Sequence, residues 1–121
     1  MNNDFPHILV IDDDNRLREL LRQFLSKNGF WVSVACDAAD ARERLKSLTF
    51  DLLVLDRMMP GEDGLDFAAN IRKSSMVPIL MLTAMIEPED RINGFEGGVD
   101  DYPTKPFEPR ELLLRINSIL R

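Results

Sequence analysis

Apolar runs in this chain stop on residues that can do chemistry. Residues 7–11 lead into Asp12, Asp13 and Asp14, residues 52–55 lead into Asp56, residues 78–82 lead into Thr83 and Ala84, and a weaker run, residues 101–104, leads into Lys105. If these runs lie parallel and adjacent, Asp12, Asp13 and Asp56 bring about three negative charges within a few ångströms, which repulsion opposes unless the carboxyl pKa values rise or a cation binds. A few carboxylates completed by water suit Mg2+, with Mn2+ as a substitute, better than an all-protein Ca2+ cage. Lys105 adds a compact positive charge and Thr83 a hydroxyl donor, a pair apt for a dianionic phosphoryl group. A carboxylate can act as nucleophile and become an acyl phosphate. Asp56, at the end of the central run, is the candidate.

Such convergence needs strands buried on both faces, and four or five consecutive apolar residues bounded by turns have that pattern. In an open parallel sheet the ligand crevice lies beyond the carboxyl ends of the strands. Leu17, Leu20, Leu21, Phe24 and Leu25 have the spacing of a helix with one apolar stripe, which Asn28 and Gly29 end. Residues 30–35 read as a second strand. Asp37 is placed to cap a helix whose inner face is Ala38, Ala41, Leu45 and Leu48. Residues 60–64 form a turn-rich loop, and Phe67, Ala68 and Ile71 face inward from a third helix. Pro88 opens a fourth helix with few apolar anchors, mainly Ile92 and Phe95, and Pro109 opens a fifth with Leu112, Leu113, Ile116, Ile119 and Leu120 inward. Five strands alternating with five helices call for an α/β architecture, a parallel sheet covered on both faces. The periodicity is still running at Arg121, as in a piece of a longer chain.

At 121 residues with 45% hydrophobic content the chain suits one domain with a sizeable core. Fifteen Lys plus Arg against 21 Asp plus Glu give a net charge of -6, which argues against direct DNA binding by this chain. No run approaches the length of a membrane span and no signal sequence opens the chain, so the expectation is a soluble cytoplasmic protein without membrane contact. Cys36 has no partner cysteine and reads as a small, partly buried side chain. His7 reads as a residue entering the first strand, and Asp14 as a helix cap.

Taken together, Asp12 and Asp13, Asp56, Thr83 with Ala84, and Lys105 with Pro106 resemble the receiver domain of two-component response regulators over essentially the whole chain. The resemblance implies a flavodoxin-like, doubly wound (βα)5 fold with strand order 2-1-3-4-5. It implies that Asp56 takes a phosphoryl group from a phosphohistidine on a sensor histidine kinase. Asp13 and Asp56 would bind Mg2+ directly, Asp12 largely through water, and Met58 through its backbone carbonyl. Lys105 would hold a phosphoryl oxygen, Thr83 would reach toward the transferred group, Tyr102 would swing inward as Thr83 moves, and the bond from Lys105 to Pro106 would be cis.

Residues 60–64 and the run from Asp90 through Tyr102 are similar to the OmpR/PhoB transcription-factor group, whose receivers pair through the fourth helix, last strand and fifth helix. That likeness implies a homodimer in which Arg91 meets Glu111, Asp101 meets Arg115 and Asp100 meets a basic residue such as Arg121, around Ile92, Phe95 and Leu113. Residues 1–121 would then be the receiver domain alone, with DNA reached only through a domain outside this chain. Glu111 and Arg115 are also an i, i+4 pair within one helix, which is an alternative to the dimer contact. Pro103 departs from the group, since proline cannot donate to a sheet ladder, and Val99 stands for a usual alanine.

Other functions fit the same residues less well. An aspartyl-phosphate hydrolase wants a general acid two residues beyond its nucleophile, where this chain has Met58. A nucleotide-binding domain wants GxGxxG or GxxxxGK[ST], and neither occurs. A free-standing receiver that relays phosphate or binds a protein target keeps the fold and changes only the output.

Overall fold

In the computed structural model the described residues are 4–83, 92, 98–101, 103 and 108–121. They form β1 (His7–Ile11), α1 (Asn15–Lys27), β2 (Trp31–Ala35), α2 (Ala38–Ser47), β3 (Leu52–Asp56), α3 (Gly64–Arg72), β4 (Ile79–Leu82) and a C-terminal helix α4 (Pro109–Leu120). The strands make one parallel sheet in the order β2-β1-β3-β4. The predicted fourth helix falls outside the described residues apart from Ile92, as do Tyr102 and Thr104 of the predicted last strand.

Alternation along the strands builds two cores. Leu9 and Ile11 of β1, Leu53 and Leu55 of β3, and Ile79 and Met81 of β4 pack with Ala38, Ala41, Phe67 and Ala68 of α2 and α3. Their neighbours Ile8, Val10, Leu52, Val54, Leu80 and Leu82 pack on the other face with Leu21 and Leu25 of α1 and Leu112 and Ile116 of α4. Every residue of β3 and β4 is buried, which is why these runs are continuously apolar rather than alternating with polar residues.

Three sequence expectations need correction. Leu20 is 52% exposed. At about 100° per residue it lies a quarter turn or more from Leu21, so the stripe runs through Leu17, Leu21 and Leu25 instead. Leu48 is 45% exposed because α2 stops at Ser47, leaving Leu48 as an extended cap. Cys36 is exposed, at the turn between β2 and α2, rather than partly buried.

Beyond β4 the described residues around Pro103 pair with the sheet edge. Asp100 N–H donates to Ile79 O (2.8 Å), Met81 N–H to Asp101 O (3.0 Å) and Thr83 N–H to Pro103 O (3.4 Å). Leu80 and Asp101 form a parallel bridge. Pro103 is buried and takes part as an acceptor, the one ladder role open to a residue without an N–H. Val99 is buried among the core residues shared with α2 and α3, so the larger side chain is accommodated.

Candidate functional site

The register of β1 and β3 assembles the site. Ile11 pairs with Leu55, so Asp12 and Asp56 leave the sheet side by side, and Asp13 follows one residue on. One carboxylate oxygen from each of Asp12, Asp13 and Asp56 lies within 4.8 Å of the others. Asp12 and Asp56 are 1% and 5% exposed, whereas Asp13 faces solvent. Repulsion in such a cluster is relieved by a cation, and three hard oxygen donors open to solvent on one side fit a divalent ion that keeps part of its water shell.

Local hydrogen bonds hold Asp12, Asp14 and Asp56. Asp12 N–H donates to Ala35 O of β2 (3.1 Å), its Oδ1 accepts Asp14 N–H (2.9 Å), and its carbonyl accepts Arg18 Nη1 (2.7 Å). Asp14 accepts the N–H groups of Arg16 (2.9 Å) and Leu17 (3.2 Å), so it caps α1 as its sequence position predicts. Asp56 Oδ1 accepts Met58 N–H (3.2 Å), and Arg57 N–H continues the ladder to Leu82 O (3.0 Å). Asp56 pairs with Leu82 in the β3–β4 register, which places Thr83, 1% exposed, one residue beyond on the neighbouring strand.

The chain after Asp56 bends back sharply. Gly64 N–H donates to Arg57 O (2.8 Å). A Cβ at Gly64 would stand 2.6 Å from the Asp56 backbone oxygen and 2.7 Å from Arg57 Cα, so only glycine lets α3 start this close to the end of β3. Asp63 caps α3 by accepting Leu65 N–H (2.8 Å). Between these anchors, Asp13 and residues 57–63 line an open hollow of about 470 Å3. Met58, whose side chain is 68% exposed, stands at its rim.

Ala84, Lys105, Tyr102 and Pro106 lie outside the described residues, as do Arg91 and Phe95 of the expected dimer face. Asp100, Asp101, Glu111 and Arg115 of that face have partners within the chain. Arg115 Nη1 contacts both carboxylate oxygens of Asp101 (2.9 and 2.8 Å), and Arg115 Nη2 contacts Glu111 (3.0 Å). Asp100, expected to meet a basic residue such as Arg121, has partners within the chain: its Oδ2 accepts Ile79 N–H (2.7 Å) and meets Arg72 (3.3 Å). Leu113 packs partly buried against the core, while Ile92 is 56% exposed.

One set of site residues escaped the sequence reading. Arg42 on α2 reaches across to Glu62 in the hollow's wall with two bonds, of 2.7 and 2.9 Å, and to Asn70 of α3 (3.1 Å). Twenty residues separate Arg42 from Glu62, and no helical or strand period links them.

The protein-family model described as "Response regulator receiver domain" matches residues 8–117. The chain is 58% identical over 116 residues to Protein PetR of Rhodobacter capsulatus, covering 96% of this chain and 49% of that protein. It is 44% identical over 114 residues to the transcriptional regulatory protein ResD of Bacillus subtilis, covering 94% and 48%. The chain thus spans about half the length of these curated relatives. The solved receiver domain of the Francisella response regulator 1452 superposes with a TM-score of 0.90 at 34% identity, covering 95% of this chain and 96% of that one. With the strand order, the carboxylate cluster and these likenesses in agreement, the chain belongs to the response regulator receiver-domain family.

Proposed function

We propose that Asp56 is the phosphoacceptor of this receiver domain, taking its phosphoryl group from a phosphohistidine on a sensor histidine kinase. The observation that carries this is the meeting of Asp12, Asp13 and Asp56 within 4.8 Å at the carboxyl ends of adjacent strands. Receiver domains are signalling modules of two-component systems, phosphorylated on aspartate and generally binding Mg2+ through acidic residues. Here Asp12, Asp13 and Asp56, with the Met58 carbonyl, are the residues that would hold the ion. Bound there, Mg2+ would neutralise charge on the phosphoryl oxygens.

The chain's own residues do the rest. An oxygen of the ionised Asp56 carboxylate attacks phosphorus, the P–N bond to the kinase imidazole breaks, and the imidazole nitrogen keeps the bonding pair. Thr83, buried one residue beyond the strand position opposite Asp56, offers its hydroxyl to the new phosphoryl group, and Lys105 supplies the positive charge. The Met58 side chain has no proton to give a leaving group, which supports storage of the phosphoryl group over rapid turnover.

The output follows the same reading. Phosphorylation favours one of two existing arrangements, relayed through Thr83 and Tyr102 to a face containing Ile92, Asp101, Glu111, Leu113 and Arg115. Two such faces pair, and a DNA-binding domain outside these 121 residues acts on transcription in the cytoplasm. ResD, which this chain resembles, is a transcriptional regulatory protein, and its greater length leaves room for such a domain.

Incubation with Mg2+ and a small acyl phosphate should add one phosphate, seen as a single mass increment. Asp56→Asn should abolish it, and Thr83→Ala should retain it. A persistent increment in Asp56→Asn rejects Asp56 as the acceptor.

A further inference from the structure

The loop joining Asp56 to α3 carries Met58 and forms most of the hollow's wall. Its ends are held by local contacts: Met58 N–H on Asp56 Oδ1 at one, the Asp63 side-chain cap and the close approach of Gly64 at the other. Its middle, Pro60, Gly61 and Glu62, has a lateral tie. The two terminal nitrogens of Arg42, Nη1 and Nη2, donate one to each oxygen of Glu62, in the parallel fork that only arginine offers a carboxylate. The guanidinium is itself immobilised by α3, through Asn70 Oδ1 and by lying 4.9 Å over the ring of Phe67, which is fully buried. The hydrogen bonds from Arg42 lower the Glu62 carboxyl below its usual pKa, and the side chains are 36% and 30% exposed, so the tie is shielded from solvent only in part.

We infer that Arg42 is a positioning residue for the metal site: by gripping Glu62 it sets the path of residues 57–62, and through them the Met58 carbonyl and the hollow's shape. This rests on the reading of Asp12, Asp13 and Asp56 as Mg2+ ligands. It touches neither the ion nor the phosphoryl group. Its effect therefore differs in sign from that of a simple through-space charge. Removing a cation near an acidic site strengthens Mg2+ binding through the field, and removing Glu62 weakens it. A tether predicts that loss of either partner weakens binding, since both losses release the same loop.

The test is calorimetric titration of Mg2+ into the unphosphorylated protein. Asp13→Asn should weaken binding and so validate the site. Arg42→Ala and Glu62→Gln should each weaken it about tenfold, the low end of what outer-shell residues contribute to metal affinity. The Arg42→Ala, Glu62→Gln double variant should lose no more than either alone. Arg42→Lys keeps the charge but not the fork or the stacking, and should still fall below wild type. The exchanged pair, Arg42→Glu with Glu62→Arg, should recover part of the loss. Wild-type affinity in Arg42→Lys, tighter binding in Arg42→Ala, or additive losses overturn the tether while leaving the metal site intact. An unchanged Asp13→Asn, or no Mg2+ binding by wild type, overturns the site reading and the tether with it.

Discussion

At the scale of single residues, His7 shows how context changes a side chain that looks ordinary in sequence. It enters β1, its Nε2 lies 2.8 Å from Ser33 Oγ, and its ring sits 4.5 Å from that of Phe50. Burial pushes its pKa below the usual histidine value, and the Asp51 carboxylate opposes that only in part. The unfolded chain then binds a proton before the folded one does. Stability is complete above the ordinary value of about 6.5 and is lost as pH falls through the lowered one. His7 is the only histidine in the sequence. Urea midpoints should therefore fall between about pH 7.5 and pH 5.5, and His7→Gln should flatten that decline; an equal slope in the variant assigns it to other groups. The legibility of the site divides on the same principle. Asp12, Asp13, Asp56 and Thr83 could be found because each ends an apolar run, a local pattern. The Arg42–Glu62 fork could not, because only tertiary packing brings α2 against the loop after β3.

Elements were legible where burial was one-sided or complete, and less so at their ends. β1, β3 and β4 read correctly because residues buried on both faces must nearly all be apolar, while Leu20 and Leu48 misled because an apolar type does not say how far round a helix the core extends. The junction of α3, β4 and the segment before the sheet edge depends on a residue that no local pattern singles out. Arg72, at the end of α3 and mostly buried, donates to Gly98 O (3.2 and 2.6 Å), Ser75 O (3.0 Å) and Val77 O (2.6 Å). It also meets Asp100 (3.3 Å). Gly98 lies directly beneath it, where a Cβ would come 2.7 Å from Arg72 Nε. Arg72→Ala should therefore cost about 2 kcal/mol in urea unfolding, because it strands several carbonyl acceptors at once. Arg72→Lys should recover little, since an ammonium cannot serve acceptors spread across a plane. Loss under about 0.5 kcal/mol, the ordinary range for a surface substitution, would show these bonds to be replaced by water.

For the molecule as a whole, the ion pairs on the proposed dimer face are already made within one chain, and this constrains what dimerisation can gain. Arg115 holds Asp101 and Glu111 of its own protomer. Meeting the partner's carboxylates instead exchanges one set of bonds for an equivalent set, so the charges fix register and reject wrong partners more than they add affinity. The favourable surplus must come from apolar surface, and Ile92, 56% exposed, is the described residue of that face with such area to bury. A two-fold interface counts each substitution twice. Ile92→Ser should thus weaken phosphate-dependent dimers by at least about tenfold, as loss of two partly buried isoleucines implies. Arg115→Ala should weaken them less, and most visibly at low salt, where exposed charges are least screened. Both variants should accept phosphate at Asp56 as wild type does, which separates the interface from the chemistry. Sedimentation equilibrium of the phosphorylated proteins at two salt concentrations ranks them. If Arg115→Ala proves the more damaging, the pairs are not exchanged but newly formed, and the dimer is held by charge rather than by its apolar centre.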